Sequence, residues 1–309
     1  MQLWPRILTL VWELMLFGQL DRLNMLWADG AHIHLEKANL HSSSWSWLVS
    51  LMSDVRGITR NLASPHVASD VTWSHQHFCG GSVLNQYWIL TASHCFDRQA
   101  GGNEPATWRA RFSDDGFQAH KLRTGWKSLS GQLASKAHAL GVSQIVRHPR
   151  YNRTNVVADI ALVRLSSAIS TLSSTHKIAT APLPLHENIT FKNGTDCVTT
   201  GWKCPRSARE HSSCVAYVVP MPINHPDMCK VYAMDDWSDK LCAGKKNARQ
   251  GVCGGDSGDA LMCEIHGGEM VMAGFLSFVH KDDPFAFPSG YTAVQPYLKW
   301  ILTTMSQSD

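Results

Sequence analysis

An all-β fold is the architecture this sequence predicts, and three observations predict it. From Trp45 onward the chain breaks into short apolar runs: Trp47-Leu48-Val49-Ser50-Leu51, Ser82-Val83-Leu84, Tyr87-Trp88-Ile89-Leu90, Ile160-Ala161-Leu162-Val163 and Gly274-Phe275-Leu276. Glycine and proline recur between these runs, as they do between the short strands of a sandwich or a barrel. The 309 residues are 44% hydrophobic and 17% charged, enough apolar material for a core, and all-β folds of about 200–250 residues form single domains. Periodicity leaves sandwich and barrel both open.

Residues 1–32 read as a leader and a connecting piece. Ile7 to Gly18 is apolar behind Arg6, like the core of a secretory signal, although Glu13 interrupts it and no small-x-small cleavage site follows. Ser53 to Gln76 and Asp97 to Lys127 are polar, without a clear period, and read as two solvated surface insertions. Near the end, Val294, Tyr297, Leu298, Ile301 and Leu302 fall on one face of a 3.6-residue period. This predicts a terminal helix, with Pro296 near its start, where a missing N–H costs least.

Composition narrows the function classes. A net charge of +3 with no Lys/Arg run argues against a nucleic-acid partner. No stretch reaches the roughly 18–20 apolar residues of a membrane span, and the carboxyl end has no apolar tail for a lipid anchor. Nine cysteines without a paired CxxC or an HExxH predict a disulfide framework and a secreted or extracellular protein. The odd count leaves at least one cysteine outside intrachain pairs. Three glycosylation sequons, at Asn152, Asn188 and Asn193, point to the same compartment. His75-Gln76-His77 has no matching cluster of ligands, so neither metal nor cofactor is expected.

Three segments carry chemistry: Leu90-Thr91-Ala92-Ser93-His94-Cys95, Asp159-Ile160-Ala161-Leu162-Val163 and Gly254-Gly255-Asp256-Ser257-Gly258. A serine hydroxyl needs a base within hydrogen-bond reach to become a nucleophile. Histidine, with an ordinary pKa of about 6.5, accepts and returns a proton near neutrality. A buried carboxylate fixes the imidazole tautomer and stabilises its cation. Backbone N–H groups flanked by glycine can receive a developing oxyanion. His94, Asp159 and Ser257 are therefore the candidate catalytic residues, with the N–H groups of Gly255 and Ser257 as oxyanion donors.

These segments resemble those of the chymotrypsin-like serine peptidases, from about Ile33 to Trp300. Phe78-Cys79-Gly80-Gly81-Ser82 and Trp88-Ile89-Leu90-Thr91-Ala92 are similar to that family's run into its histidine. Cys197-Val198-Thr199-Thr200-Gly201-Trp202, Leu241-Cys242-Ala243-Gly244 and Pro288-Ser289-Gly290-Tyr291-Thr292 resemble later landmarks. The resemblance implies a peptidase domain at 33–305. Two antiparallel six-stranded barrels would span about 33–165 and 180–295, with a helix at about 296–305. It implies a serine endopeptidase with protein or peptide substrates and protein inhibitors as partners. It also implies disulfides Cys79–Cys95, Cys197–Cys263 and Cys229–Cys242. Cys204 and Cys214 flank one polar segment and would pair with each other. Cys253 is expected to be unpaired, because Ser277 to Pro288 lacks the cysteine that relatives use, and the pocket walls should then be loosely constrained.

Three departures from the family pattern bear on activity. Asp259 and Ala260 follow Gly258 where Gly-Pro is usual, and Asp259 would be strained if its position needed a positive φ. At the activation end Ile33-His34-Leu35-Glu36 lacks both glycines of the family terminus, and His32 precedes it rather than Arg or Lys. Asp256 would then lack an ammonium partner, and by the resemblance His77 and Ser50 would hold it in a zymogen-like loop. Gly251, six residues before Ser257, replaces the aspartate of trypsin-like members. Val252 follows it, and Val279 in the strand Ser277-Phe278-Val279 stands where glycine is common. These five residues imply a pocket for a small or medium apolar side chain. The alternative is a catalytically inactive homologue that binds or regulates through the same surface.

Overall fold

The computed structural model describes residues 45–307 except 55–74, 98–101, 113–117, 122–126, 131–138, 173–177, 186–188, 202–215, 235, 249–250 and 266–267. The amino-terminal leader expectation and the Ile33 segment lie outside the described residues.

The chain forms strands β1 (Leu48–Asp54), β2 (His75–Val83), β3 (Trp88–Thr91), β4 (Trp108–Arg111), β5 (Gln118–Lys121), β6 (Lys127–Ser130), β7 (Ala139–Arg147) and β8 (Ala161–Leu165). The second half adds β9 (Cys197–Gly201), β10 (Ala216–Pro220), β11 (Ile223–Asn224), β12 (Lys240–Ala243), β13 (Ala260–Glu264), β14 (Met270–Phe278) and β15 (Ser289–Ala293), and ends in helix α1 (Leu298–Ser306). All named pairings are antiparallel.

The first body is a closed six-strand barrel in the order β1-β2-β3-β8-β7-β4. On its strands Leu48, Leu51, Ile89, Leu90, Leu162 and Val163 are all fully buried, so both faces of the barrel wall are covered. The second body is a curled nine-stranded sheet, β11-β12-β15-β14-β13-β9-β10-β6-β5, rather than a ring of six. β11 has only two residues, and the outer edge of β10 is taken by β6. The fold is thus all-β with a short terminal helix, as the sequence predicts, with one closed barrel and, among the described residues, a second sheet that curls without a closing strand pair.

Three sequence expectations need correction. Asp97 to Lys127 is not a plain surface insertion, because it supplies β4, which closes the barrel between β1 and β7. The four residues Trp-Arg-Ala-Arg of β4 bury Trp108 and Ala110 and leave Arg109 and Arg111 half-buried. That alternation is too brief to stand out in a polar stretch. Trp108 packs edge-on to Phe96 at 4.8 Å. The terminal helix starts at Leu298, after a 3₁₀ turn at Gln295–Tyr297 that contains Pro296. Val294, Tyr297 and Ile301 are buried, but Leu302 is 47% exposed. The turn shifts the helical phase, so Leu302 leaves the buried face.

The third correction concerns the disulfides. Cys79–Cys95, Cys197–Cys263 and Cys229–Cys242 form as expected. Cys253 is also disulfide-bonded, against the expectation of a free thiol. Its bond depends on which segment passes close to it in space, and the absence of a cysteine from Ser277 to Pro288 does not decide that. The chain at Cys253 is therefore crosslinked, so the loosening expected from a free thiol does not follow. Cys204 and Cys214 lie outside the described residues.

Candidate active site

His94 sits in the 3₁₀ turn Ser93–Phe96 that follows β3. The disulfide from Cys95 to Cys79 ties this turn to β2. β3 pairs with β8 so that Thr91 lies opposite Ala161. Thr91 is three residues before the histidine and Ala161 two after Asp159, so the register brings the two side chains together. The Asp159 carboxylate grips His94 at two points. Oδ1 accepts the His94 backbone N–H at 2.8 Å, and Oδ2 lies 2.8 Å from ring Nδ1.

Asp159 is fully buried. The Ser277 hydroxyl donates to its Oδ2 at 2.5 Å, and Thr292 Oγ1 donates to its backbone carbonyl at 3.2 Å. Burial by itself would push the carboxyl up, but the facing imidazole and the donated hydrogen bonds hold it below the ordinary carboxylate range. Burial likewise disfavours the imidazolium of His94, yet the charge and hydrogen bond of Asp159 outweigh it and raise the imidazole above 6.5. The His94 side chain remains 28% exposed, so its outer nitrogen can meet a reactant.

Ser257 lies in the turn between Gly254 and Asp259. Gly80 N–H donates to the Ser257 carbonyl at 2.8 Å, and Gly258 N–H donates to Leu276 O at 2.8 Å. Gly258 has φ +88°, and a Cβ there would strike Thr91 Oγ1 and the Gly80 carbonyl. The nucleophile turn is therefore seated directly on the first barrel, and only glycine permits the approach. Cys95 Sγ is 4.0 Å from the Ser257 carbonyl, which places the turn beside the residue after His94. Among the described residues no hydrogen bond joins Ser257 Oγ to His94 Nε2. No backbone acceptor there takes the N–H of Gly255 or Ser257.

Asp259 is buried and is not among the positive-φ residues, so the feared backbone strain is absent. Its carboxylate lies against the Cα of Gly80, at a spot that a Cβ would occupy. The neighbouring Tyr291 is buried, and burial with the nearby Asp256 and Asp259 carboxylates pushes its phenol well up.

His77 joins the nucleophile turn from β2. Its Nδ1 is 2.7 Å from Ser50 Oγ, and its Nε2 is 2.8 Å from the Gly255 carbonyl oxygen. Asp256 is buried, and its Oδ2 accepts the Cys253 N–H at 2.8 Å. The structure thus brings Ser50 and His77 together and aims the ring at the residue before Asp256.

The residues expected to line a specificity pocket are closely packed. A Cβ on Gly251 would sit 3.2 Å from the Phe285 ring. Val252 is buried in a cluster with Leu276 and Tyr291, and Val279 packs against that cluster. The Phe278 ring lies across Gly290 and meets Tyr232 edge-on at 4.8 Å. Ser277, expected from sequence on the substrate strand, also donates its hydroxyl to Asp159. Sequence reasoning missed that role, since 118 residues separate the two partners.

A cluster of metal-ligand type, Cys79, His94 and Cys95, lies among the described residues. Its two sulfurs are joined in a disulfide and so cannot act as thiolate ligands.

Asn152 and Asn193 of the sequons are exposed, and Asn188 lies outside the described residues. Among the described residues no helix is long and apolar enough to cross a membrane.

Comparison with known proteins agrees with this arrangement. The sequence profile of the trypsin family matches residues 58–301. Trypsin I-P38 of Gallus gallus is 29% identical over 236 residues, covering 76% of this chain and 82% of its own. A tryptase of Mus musculus is 29% identical over 274 residues, 84% of each chain. Testisin of Homo sapiens is 30% identical over 242 residues, covering 75% of this chain and 71% of its own. With a profile match across most of its length and this barrel-borne site, the chain belongs to the trypsin family of chymotrypsin-like serine peptidases.

Proposed function

We propose that this protein is a serine endopeptidase acting through His94, Asp159 and Ser257 with an acyl-enzyme intermediate. The observation that carries the reading is the two-point grip of Asp159 on His94, at 2.8 Å from both the backbone N–H and Nδ1. In this reading Nε2, the ring nitrogen not held by Asp159, is the one that serves Ser257. In the proposed reaction Nε2 takes the proton of Ser257 Oγ as the oxygen attacks a peptide carbonyl. The oxyanion is received by the N–H groups of Gly255 and Ser257. Nε2 then returns the proton to the leaving amine, and water repeats the sequence to release the acid.

The pocket supports cleavage after a small or medium apolar residue. Gly251 provides no carboxylate for Lys or Arg, while Val279, Val252 and the Phe285 ring narrow the space. Asp256, His77 and Ser50 are assigned to control of the nucleophile turn. Secretion is the compartment that suits the crosslinks, and N-glycosylation is assigned to Asn152, Asn188 and Asn193.

Reaction with a fluorophosphonate tests the peptidase reading. Label that forms on Ser257 and disappears in Ser257→Ala is the expected result, and an unlabelled, folded protein would overturn it. The missing Ser257–His94 hydrogen bond favours a second reading, an inactive homologue that binds through the cleft. Such bonds are often long before substrate arrives, so the labelling experiment decides between the two.

A further inference from the structure

The residue before Asp159 is in an unusual state. Ala158 has φ +51°, the left-handed region that an alanine occupies only under strain. Something must hold it there, and the second body does. The Ala158 N–H donates to Asp239 Oδ2 at 2.9 Å. The Asp239 carboxylate is itself fixed on both sides. Tyr297 OH donates to Oδ2 at 2.6 Å, and Lys240 Nζ donates to Oδ1 at 2.8 Å. Lys240 is wholly buried in its side chain, so this is an interior ion pair and not a surface one. Ala293 N–H adds a bond to the Asp239 carbonyl at 2.9 Å.

The other end of the same loop is also clamped. His148 N–H donates to Ile160 O at 3.0 Å. The His148 ring packs edge-on to Tyr297 at 5.0 Å and to Trp300 at 4.9 Å. The loop from His148 to Asp159 is therefore pinned against the start of α1 at one end and against Asp239 at the other. A left-handed residue redirects the chain sharply, so the φ of Ala158 sets where the following carboxylate points.

We infer that Asp239, braced by Lys240 and Tyr297, is a positioning residue that locks Ala158 in its left-handed state and thereby aims Asp159 at His94. This rests on the triad reading given above. Asp239 touches neither substrate nor the reacting atoms and acts only through Ala158.

Two double variants separate positioning from bulk stability. Asp239→Asn/Lys240→Met removes the buried charges but keeps an oxygen for Ala158 N–H. Asp239→Leu/Lys240→Met removes the charges and the acceptor together, and apolar replacement of a buried ion pair is often tolerated by the fold. Both are made in the full chain and checked for folding by near-ultraviolet circular dichroism. The first readout is His94 titration followed by NMR in a Ser257→Ala background, which needs no catalytic activity. The raised imidazole pKa should persist in the asparagine variant and fall toward the ordinary value in the leucine variant. The second readout is the fluorophosphonate labelling rate with Ser257 intact. It should fall about tenfold to a hundredfold in the leucine variant and recover in part when Ala158→Gly is added, because glycine holds the left-handed state unaided.

An unchanged His94 titration in a folded leucine variant would overturn the inference. If leucine prevents folding, Asp239→Ala/Lys240→Met repeats the comparison. Collapse of both while the asparagine variant folds would assign Asp239 to stability alone and also overturn it. A wild type that never labels, with a His94 titration that still responds to the leucine variant, would sink the peptidase reading and leave the positioning role standing.

Discussion

At the scale of single residues, the electrostatics of the His94–Asp159 pair set two pH limits. The folded pKa of His94 is raised, so its share of stability is full below about 6.5 and is lost as the pH rises through the raised value. The folded pKa of Asp159 is lowered, so its share is full above about 3.9 and is lost as the pH falls through the depressed value. Labelling of Ser257 needs neutral His94. We expect its rate to rise with pH with a midpoint above 6.5, and a midpoint at or below 6.5 in a rate profile would contradict the pairing. Ser277→Ala removes a donor from a fully buried carboxylate and should cost about 1–3 kcal/mol in a denaturant titration. His94, Asp159 and Ser257 were legible as candidates because each lies in a short contiguous motif. The bonds of Ser277 to Asp159 and of Asp239 to Ala158 were not legible, since their partners lie 118 and 81 residues away.

At the scale of elements, the nucleophile turn and β2 are fitted to one another. Gly258→Ala would combine the left-handed strain of a non-glycine residue with a collision against Gly80 backbone. The strain alone is worth about 1–3 kcal/mol. We expect at least that loss in thermal or chemical unfolding, together with loss of labelling, and a stable, reactive Gly258→Ala would refute the seating. His77 supports the turn at the Gly255 carbonyl. If the ring restrains the turn in a zymogen-like form with Asp256, His77→Ala should speed labelling of Ser257, and no gain in rate would contradict that role. In the pocket, Val279→Gly removes a side chain that packs on the Val252 cluster. It should shift the preference in a peptide-substrate panel from alanine or valine toward larger apolar residues before the cut.

At the scale of the whole molecule, both bodies contribute residues to the proposed site. The barrel supplies His94 and Asp159, and the second sheet supplies Ser257, Ser277, Thr292 and Asp239. The crosslinks stiffen each body: Cys197–Cys263 spans 66 residues and joins paired positions of β9 and β13. Replacing both cysteines by alanine should cost about 2–5 kcal/mol in a denaturant titration. Cys253 shows where whole-molecule geometry outran sequence reading. Its bond could not be inferred from the strand that relatives use, because a disulfide records spatial approach and not spacing along the chain.

By itself the sequence determined the strand-rich architecture, the terminal helix and the three chemical motifs, because apolar alternation, turn residues and contiguous motifs are local properties. Only the tertiary structure decided which groups surround them. It placed Ser277 on Asp159, drew β4 out of an apparent loop into the barrel, gave Cys253 a bond and put Asp239 beneath Ala158. Those outcomes depend on distances between segments far apart in the chain, and such distances are fixed only when the two bodies pack.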